Sequence, residues 1–266
     1  MRSALALVRV AWLSATSYRL ATLMSFGGVI VSILPLFFVA GALQPVAAGT
    51  IAAEGGQYFA FMVVGVASIY VISTAAGAAA GAIAGNIGSG TFEALLVTRT
   101  SLPAILVGLS GYGILMSLIR AFVLMAGAAL LGARYSVVML PAVAVIVLLT
   151  ILAYAGIGLV SAALVLVFRT SGPLISLVIT GSALLGGAYY STTVVPGWLQ
   201  ALTDFVPLAY ALRAVRMLLL GGAGLGEVAY DVSLLALIAA GTMTLGGVCL
   251  VAALRRARMQ GTLSQY

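Results

Sequence analysis

The chain has 266 residues, of which 64% are hydrophobic and only 6% carry a charge. This composition predicts an integral membrane protein, because one soluble core cannot hide so much apolar surface. The twelve basic residues are all arginine, and histidine does not occur. The sequence therefore excludes functions that need a lysine or histidine of this chain, such as P-loop phosphate binding and serine–histidine catalysis.

Six apolar stretches are long enough to predict transmembrane helices, each of which needs about 20 residues. The expected fold is an all-α integral membrane protein, with residues 1–266 forming one transmembrane domain. The longest connection lies between the fifth and sixth spans. The spans are predicted at Thr22–Leu43, Tyr58–Ile83, Ala104–Leu131, Val137–Val167, Leu174–Tyr189 and Val232–Leu254.

The arginines predict the orientation of the chain. With the N-terminus in the cytoplasm, eight arginines fall inside, three fall outside, and Arg120 lies within the third span. This distribution follows the positive-inside rule, so both termini are expected in the cytoplasm. Because the basic residues flank spans and form no aromatic-interleaved patch, nucleic acid is not an expected partner.

Residues Met1–Leu20 precede the first span and predict a helix on the cytoplasmic membrane surface. Arg2, Arg9 and Thr16 recur every seven residues and so share one side of a helix. Trp12 suits the level of the lipid headgroups. A frayed terminus is the alternative interpretation.

The second span contains glycines at four-residue spacing, namely Gly77, Gly81 and Gly85. Small residues on one helix face allow another helix to approach closely. We expect this face to pack against a helix of the same chain. A subunit interface or a substrate path is the alternative.

The loop after the second span, residues 85–101, contains the first specific pattern. Glycines up to Gly90 precede a helix-forming stretch, in which Thr91 is suited to cap the helix and Glu93 lies in the first turn. Phe92, Leu95 and Leu96 then share one face. This short cytoplasmic helix can dock against span ends or into a groove on a partner protein.

Arg120 is predicted to lie in the outer half of the third span. A charged side chain inside a membrane is costly, so it must face protein, water or the interface. We expect it to reach the outer interface or to pair with an outer acid. Contact with an anionic group of a substrate is the alternative.

The segment between the fifth and sixth spans, residues 190–220, contains the second specific pattern. Prolines precede two short apolar pieces, and neither piece can cross a bilayer, so re-entrant or interfacial helices are expected. Arg213 and Arg216 are predicted to return the chain to the outer headgroups. The residues expected to form this outer region are Pro196, Trp198, Pro207, Tyr210 and Arg213.

Together these features resemble the permease subunits of ABC-2 type exporters, also called type V ABC exporters. The resemblance rests on the surface helix at Met1–Leu20, a GTxExLL pattern over Gly90–Leu96, the stretch Pro196–Arg216 and the count of six spans. Two departures are the uncharged residues before Gly90 and the presence of Arg99 where the family often has proline.

The resemblance implies roles for these segments. Residues Gly90–Val97 would be the coupling helix that contacts a separate ABC ATPase, and Pro196–Arg216 would be paired re-entrant helices that gate the outer end. Two such permeases, usually identical, would face each other over two ATPase subunits. ATP and magnesium would bind to the ATPases, and neither a cofactor nor a metal is expected on this chain.

We therefore expect a non-catalytic permease in the inner membrane of a bacterial or archaeal cell, exporting a hydrophobic or amphipathic molecule such as a drug or lipid. Polysaccharide or glycolipid export is one alternative, and a secondary transporter that needs no ATPase is another. A membrane-embedded enzyme is disfavoured, because the polar residues within the predicted spans are scattered.

Overall fold

The computed structural model describes residues 19–90, 102–168 and 172–259. These ranges contain eight α-helices and no β-strand. Short 3-10 turns occur at Ala52–Glu54, Val137–Met139 and Thr192–Val194. The helices are α1 (Arg19–Ala47), α2 (Tyr58–Gly88), α3 (Leu102–Leu130), α4 (Leu140–Phe168), α5 (Gly172–Leu185), α6 (Gly197–Thr203), α7 (Pro207–Leu219) and α8 (Leu225–Met259).

Five of the helices in the described ranges are long and apolar enough to cross a membrane, namely α1, α2, α3, α4 and α8. They correspond to the first, second, third, fourth and sixth predicted spans. The predicted surface helix at Met1–Leu20 lies almost wholly outside the described residues. The all-helical membrane fold is therefore confirmed for the part of the chain that the structure describes.

The predicted fifth span, Leu174–Tyr189, differs from the structure. Helix α5 has 14 residues and rises about 21 Å, which is less than the hydrocarbon thickness of about 30 Å. It ends at Leu185 because two glycines follow, and Gly187 has a φ of +70°, the left-handed conformation that ends many helices. The predicted count of six spans is thus not confirmed.

Helix α4 is the centre of the bundle, with α2 on one side and α8 on the other, and α3 packs on α2. Glycines permit the close crossings. A Cβ atom at Gly158 of α4 would lie 2.6 Å from the carbonyl oxygen of Ala76 on α2, so this backbone approach requires glycine. Gly156 and Gly246 allow α4 and α8 to touch in the same way.

The glycine face predicted on α2 is not one of these crossings. A Cβ atom at Gly77, Gly81 or Gly85 would meet nothing within 4 Å among the described residues. The expected packing of this face inside the chain is therefore not found within residues 19–90, 102–168 and 172–259. Helix α2 instead contacts α4 through Ala75 and Ala76, which lie on a different face and are buried.

Three loops meet at one end of the bundle, called the tied end below. The Gln44 side chain donates to the carbonyl of Gly56 at 2.7 Å, and Gln57 donates to Gly132 at 2.9 Å. The backbone amide of Ser136 donates to the carbonyl of Leu219 at 2.8 Å. These bonds join the loops that follow α1, α3 and α7.

Candidate functional site

Arg216 of α7 lies at the tied end and is buried, with 2% of its surface exposed. Its guanidinium donates to three backbone carbonyls. Nη1 reaches Gly187 at 2.9 Å, while Nη2 reaches Ala188 at 2.9 Å and Phe61 at 3.1 Å. One side chain therefore joins α7 to the first turn of α2 and to the turn that follows α5.

A carboxylate and an aromatic ring complete the surroundings of Arg216. Nη1 lies 3.6 Å from Oε2 of Glu54, and the guanidinium carbon lies 3.3 Å from the centroid of the Phe61 ring. A buried arginine without partners would lose several kcal/mol of solvation. Here carbonyls, carboxylate and ring electrons replace the lost water. We call Arg216, Glu54, Phe61 and Gly65 the α7 anchor.

Gly65 belongs to the α7 anchor because it leaves space for the turn after α5. A Cβ atom at this position would overlap the carbonyl oxygen of Ala188 and lie 3.0 Å from Nη2 of Arg216. Only glycine lets the backbone of α2 approach the turn this closely. The carbonyl of Ala188 is thereby held where Arg216 can bind it.

Arg213, one helical turn before Arg216, joins α7 to α8. Its Nη1 donates to Oδ1 of Asp231 at 3.1 Å, and the Arg213 side chain remains 41% exposed. Both ion pairs found in the described part of the chain therefore involve α7. The partly solvated Arg213 pair is expected to contribute less stability than the buried Arg216 contacts.

Glu54 gives the α7 anchor a pH dependence. Burial raises the pKa of the Glu54 carboxyl above its usual 4.5, although Arg216 and Arg213 oppose the shift. The folded state thus binds a proton that the unfolded state has released, so the contribution of Glu54 to stability is largest below pH 4.5 and falls as pH rises through the raised pKa.

Replacing Glu54 with glutamine should remove this pH dependence. We expect the melting temperature of the wild type minus that of Glu54→Gln to be larger at about pH 4.5 than at about pH 7.5. Melting curves of both proteins in one detergent, recorded across this range, measure the difference. A difference that stays constant, or that grows with pH, would contradict a raised pKa.

The residues predicted for the outer region have different surroundings. Pro196 precedes α6 and is exposed, and Trp198 of α6 is 72% exposed. Pro207 is the first residue of α7 and is buried. Tyr210 is buried and its hydroxyl donates to the carbonyl of Asp204 at 2.9 Å, close to Arg213. Prolines thus begin both short helices as the sequence predicted.

The α7 anchor itself was missed by the sequence prediction. Arg216 was expected at the outer headgroups and is instead buried, where its Nη1 and Nη2 atoms donate to three carbonyls and Glu54 lies beside it. The available signal was a glutamate in the loop before α2 and an arginine at the same predicted side of the membrane. Opposite charge and the same predicted side of the membrane were not enough to predict that Glu54 and Arg216 are in contact.

Other predicted site residues lie apart from the α7 anchor. Gly90 is exposed with a φ of +68° and is the last described residue of its segment. Arg120 of α3 is half-buried, and the expected pairing with an acid does not occur among the residues that the structure places. The remaining residues of the predicted coupling helix lie outside the described ranges: Thr91, Phe92, Glu93, Leu95 and Leu96.

The architecture defines a multi-pass helical membrane protein with a short helix fastened at one end of the bundle. A family model described as ABC-2 type transporter matches residues 5–220, which include α1 to α7. The chain therefore belongs to the ABC-2 type transporter family, whose members are membrane components of ABC transporters. No curated protein matches the sequence significantly.

Proposed function

We propose that the chain is the permease subunit of an ATP-driven exporter. It pairs with ABC ATPase subunits, as is typical of the family, and moves a hydrophobic or amphipathic molecule across a bacterial or archaeal cell membrane. Two identical copies face each other over two ATPases, which hold the ATP and magnesium. Cargo moves because its affinity differs between two conformations of the pair.

The placement of α7 is the observation that carries this proposal. Leu208, near the start of α7, belongs to the same buried cluster as Tyr154, which lies in the middle of α4. Leu219, at the other end, bonds to Ser136 at the tied end. With 13 residues and a length of about 20 Å, α7 reaches the middle of the bundle without crossing it. This supports a re-entrant gate formed by α6 and α7.

Helix α2 leads from the tied end towards the predicted coupling segment. Helix α2 begins at the tied end and runs 31 residues, about 46 Å, to Gly88, where the loop with the predicted coupling helix follows. The same helix carries Phe61 and Gly65 of the α7 anchor. In the proposed mechanism α2 acts as a rod that transmits ATPase motion from the cytoplasmic loop to the gate at the outer face.

A variant of the predicted coupling helix tests this function. Co-expression with the cognate ATPase should show that Phe92→Ala combined with Glu93→Arg inserts normally but loses the ATPase complex or its transport-coupled hydrolysis. The change removes an apolar contact and reverses the charge of the proposed docking face. Co-purification and ATP turnover in proteoliposomes measure the two outcomes.

A matched variant at the tied end controls for general damage. Tyr230→Ala combined with Glu227→Arg removes an aromatic ring and reverses an acid at two exposed positions, three residues apart on α8. This control should assemble and turn over ATP like the wild type. Assembly and turnover that survive in the coupling variant would remove the role proposed for residues 90–96.

A further inference from the structure

Arg120 has no counter-ion among the residues that the structure places. Its Nε is buried without a hydrogen-bond partner. The five helices α1 to α5 supply no acidic partner for Arg120, because they contain no aspartate or glutamate. A charged side chain near the middle of a membrane helix costs about 2.5–3.5 kcal/mol on insertion scales. Such a cost is offset when an anion binds the guanidinium.

The register of α3 places Arg120 towards α1 and α2. Gly113, Arg120 and Gly127 are spaced by seven residues and so share one face of the helix. A Cβ atom at Gly113 would lie 3.3 Å from Thr74 of α2, and one at Gly127 would lie 2.5 Å from Ile33 of α1. Arg120 thus lies two turns from each contact, on a face that meets both neighbouring helices.

The contact between Ile33 and Gly127 also sets the level of α1 beside Arg120. Helices α1 and α3 both run towards the tied end and are therefore parallel. Phe26 lies seven residues before Ile33 on α1, and Arg120 lies seven residues before Gly127 on α3. Phe26 is therefore at about the level of Arg120. Ser25 is the neighbour of Phe26 on the same side of α1.

The inner face of α1 changes in burial at this level. Val29 and Ile33, in the part nearer the tied end, are each only 4% exposed. Ser25 and Phe26 continue the same face, since they precede Val29 by four and three residues, yet both are only half-buried. Helix α1 therefore packs closely near the tied end and less closely before Val29. We call the region between α1 and α3 at the level of Ser25, Phe26 and Arg120 the α1–α3 cleft.

Helix geometry gives the initial direction of the Arg120 side chain. The Cα–Cβ bond of a helical residue tilts towards the N-terminus of its helix. For α3 that direction leads away from the tied end and towards the cleft. The stem of Arg120 therefore starts away from the tied end.

We propose that the α1–α3 cleft binds the acidic headgroup of a bilayer amphiphile, with its phosphate or carboxylate on Arg120. A planar guanidinium binds either anion through paired hydrogen bonds. The small side chain of Ser25 leaves room for a headgroup, and Phe26 offers an apolar surface to the acyl chains that extend from it. This inference goes beyond the proposed export function and does not depend on the ATPase.

Lipid retention by the purified full chain tests the proposal. Native mass spectrometry in a neutral detergent compares phosphatidylglycerol with phosphatidylcholine of identical acyl chains. We expect the wild type to prefer phosphatidylglycerol by about tenfold, which one charge-assisted interaction can supply. Arg120→Met should bring this ratio close to one, and Arg120→Lys should retain part of it.

Matched variants separate the cleft from general effects of charge and side-chain volume. Arg134→Met removes an exposed arginine beyond the end of α3 and should leave the preference unchanged. Ser25→Leu keeps the charge of Arg120 but fills the cleft, so it should lower retention of phosphatidylglycerol. Gly28→Leu adds a leucine at an exposed position with open space around it, and it should have no effect.

Defined outcomes would overturn the proposal. An unchanged preference in Arg120→Met would remove the headgroup site, and an unchanged preference in Ser25→Leu would remove the cleft. Soluble glycerol phosphate should not displace the bound lipid, and displacement would assign the site to water-soluble anions instead of bilayer lipid. Because no ATPase is present, these results are independent of the coupling test.

Discussion

Replacing Arg216 with methionine is expected to lower the free energy of unfolding by about 3–5 kcal/mol, the range found when one partner of a buried ion pair is removed. Methionine keeps most of the buried volume but leaves the carbonyls of Phe61, Gly187 and Ala188 without their donor. Glu54 also loses its neighbouring charge. Unfolding of the purified protein by increasing sodium dodecyl sulfate measures the loss.

Arg213→Met is the matched control, because it removes the same charge from the same helix one turn earlier. Its ion pair with Asp231 is partly solvated, so we expect a loss below about 1 kcal/mol. Similar losses for Arg213→Met and Arg216→Met would show that the α7 anchor has no special role in holding this helix.

Gly65→Ala is expected to destabilise the tied end by about 1–3 kcal/mol, the usual effect of overpacking. The added methyl group would overlap the carbonyl oxygen of Ala188, so the turn after α5 must move away from Arg216. The same unfolding assay measures this loss. Because both changes act on one network, Gly65→Ala combined with Arg216→Met should cost less than the sum of the single variants.

Gly77→Ala provides the comparison on the same helix. Its new Cβ atom would meet nothing within 4 Å, and alanine is favoured over glycine in helices by up to about 1 kcal/mol. We therefore expect unchanged or slightly increased stability of the isolated chain. If Gly77→Ala were as damaging as Gly65→Ala, helix propensity or insertion would account for both results, and the close contact at Ala188 would not.

Hydropathy was sufficient to predict the long helices. The predicted second span began at Tyr58, where α2 begins, and the third was within two residues of α3 at its start. It was insufficient for α5, because the average over Leu174–Tyr189 hides the paired glycines that end the helix at Leu185. Apolar content predicts which segments can lie in lipid, whereas backbone conformation decides at which residue a helix ends.

The prolines correctly predicted the starts of α6 and α7: Pro196 lies directly before α6, and Pro207 is in the first turn of α7, where its fixed φ and missing amide hydrogen suit a helix. Glycine spacing was less informative. The regular pattern of Gly77, Gly81 and Gly85 predicted close packing inside the chain, but the tight crossings occur at Gly65 and Gly158. A spacing rule identifies a bare helix face but does not identify what lies opposite.

The α7 anchor could not be predicted for a related reason. The positive-inside rule assumes that each arginine outside a span lies in water or among the lipid headgroups. Arg216 instead finds its acceptors in the backbone carbonyls of Phe61, Gly187 and Ala188, which have no distinctive sequence signal. The coupling role of Gly90–Leu96 stays a prediction from the resemblance, and the class of cargo stays a prediction from composition.

The separation along the chain between Arg216 and Phe61 has a consequence for biogenesis. The two residues are 155 positions apart, so the carbonyl of Phe61 enters the membrane long before its donor has been synthesised. Nascent chains that end before α7 lack Arg216. They therefore lack the side chain that hydrogen-bonds both to the first turn of α2 and to the turn after α5. Assembly of the tied end is therefore a late step, completed only after Arg216 has been synthesised.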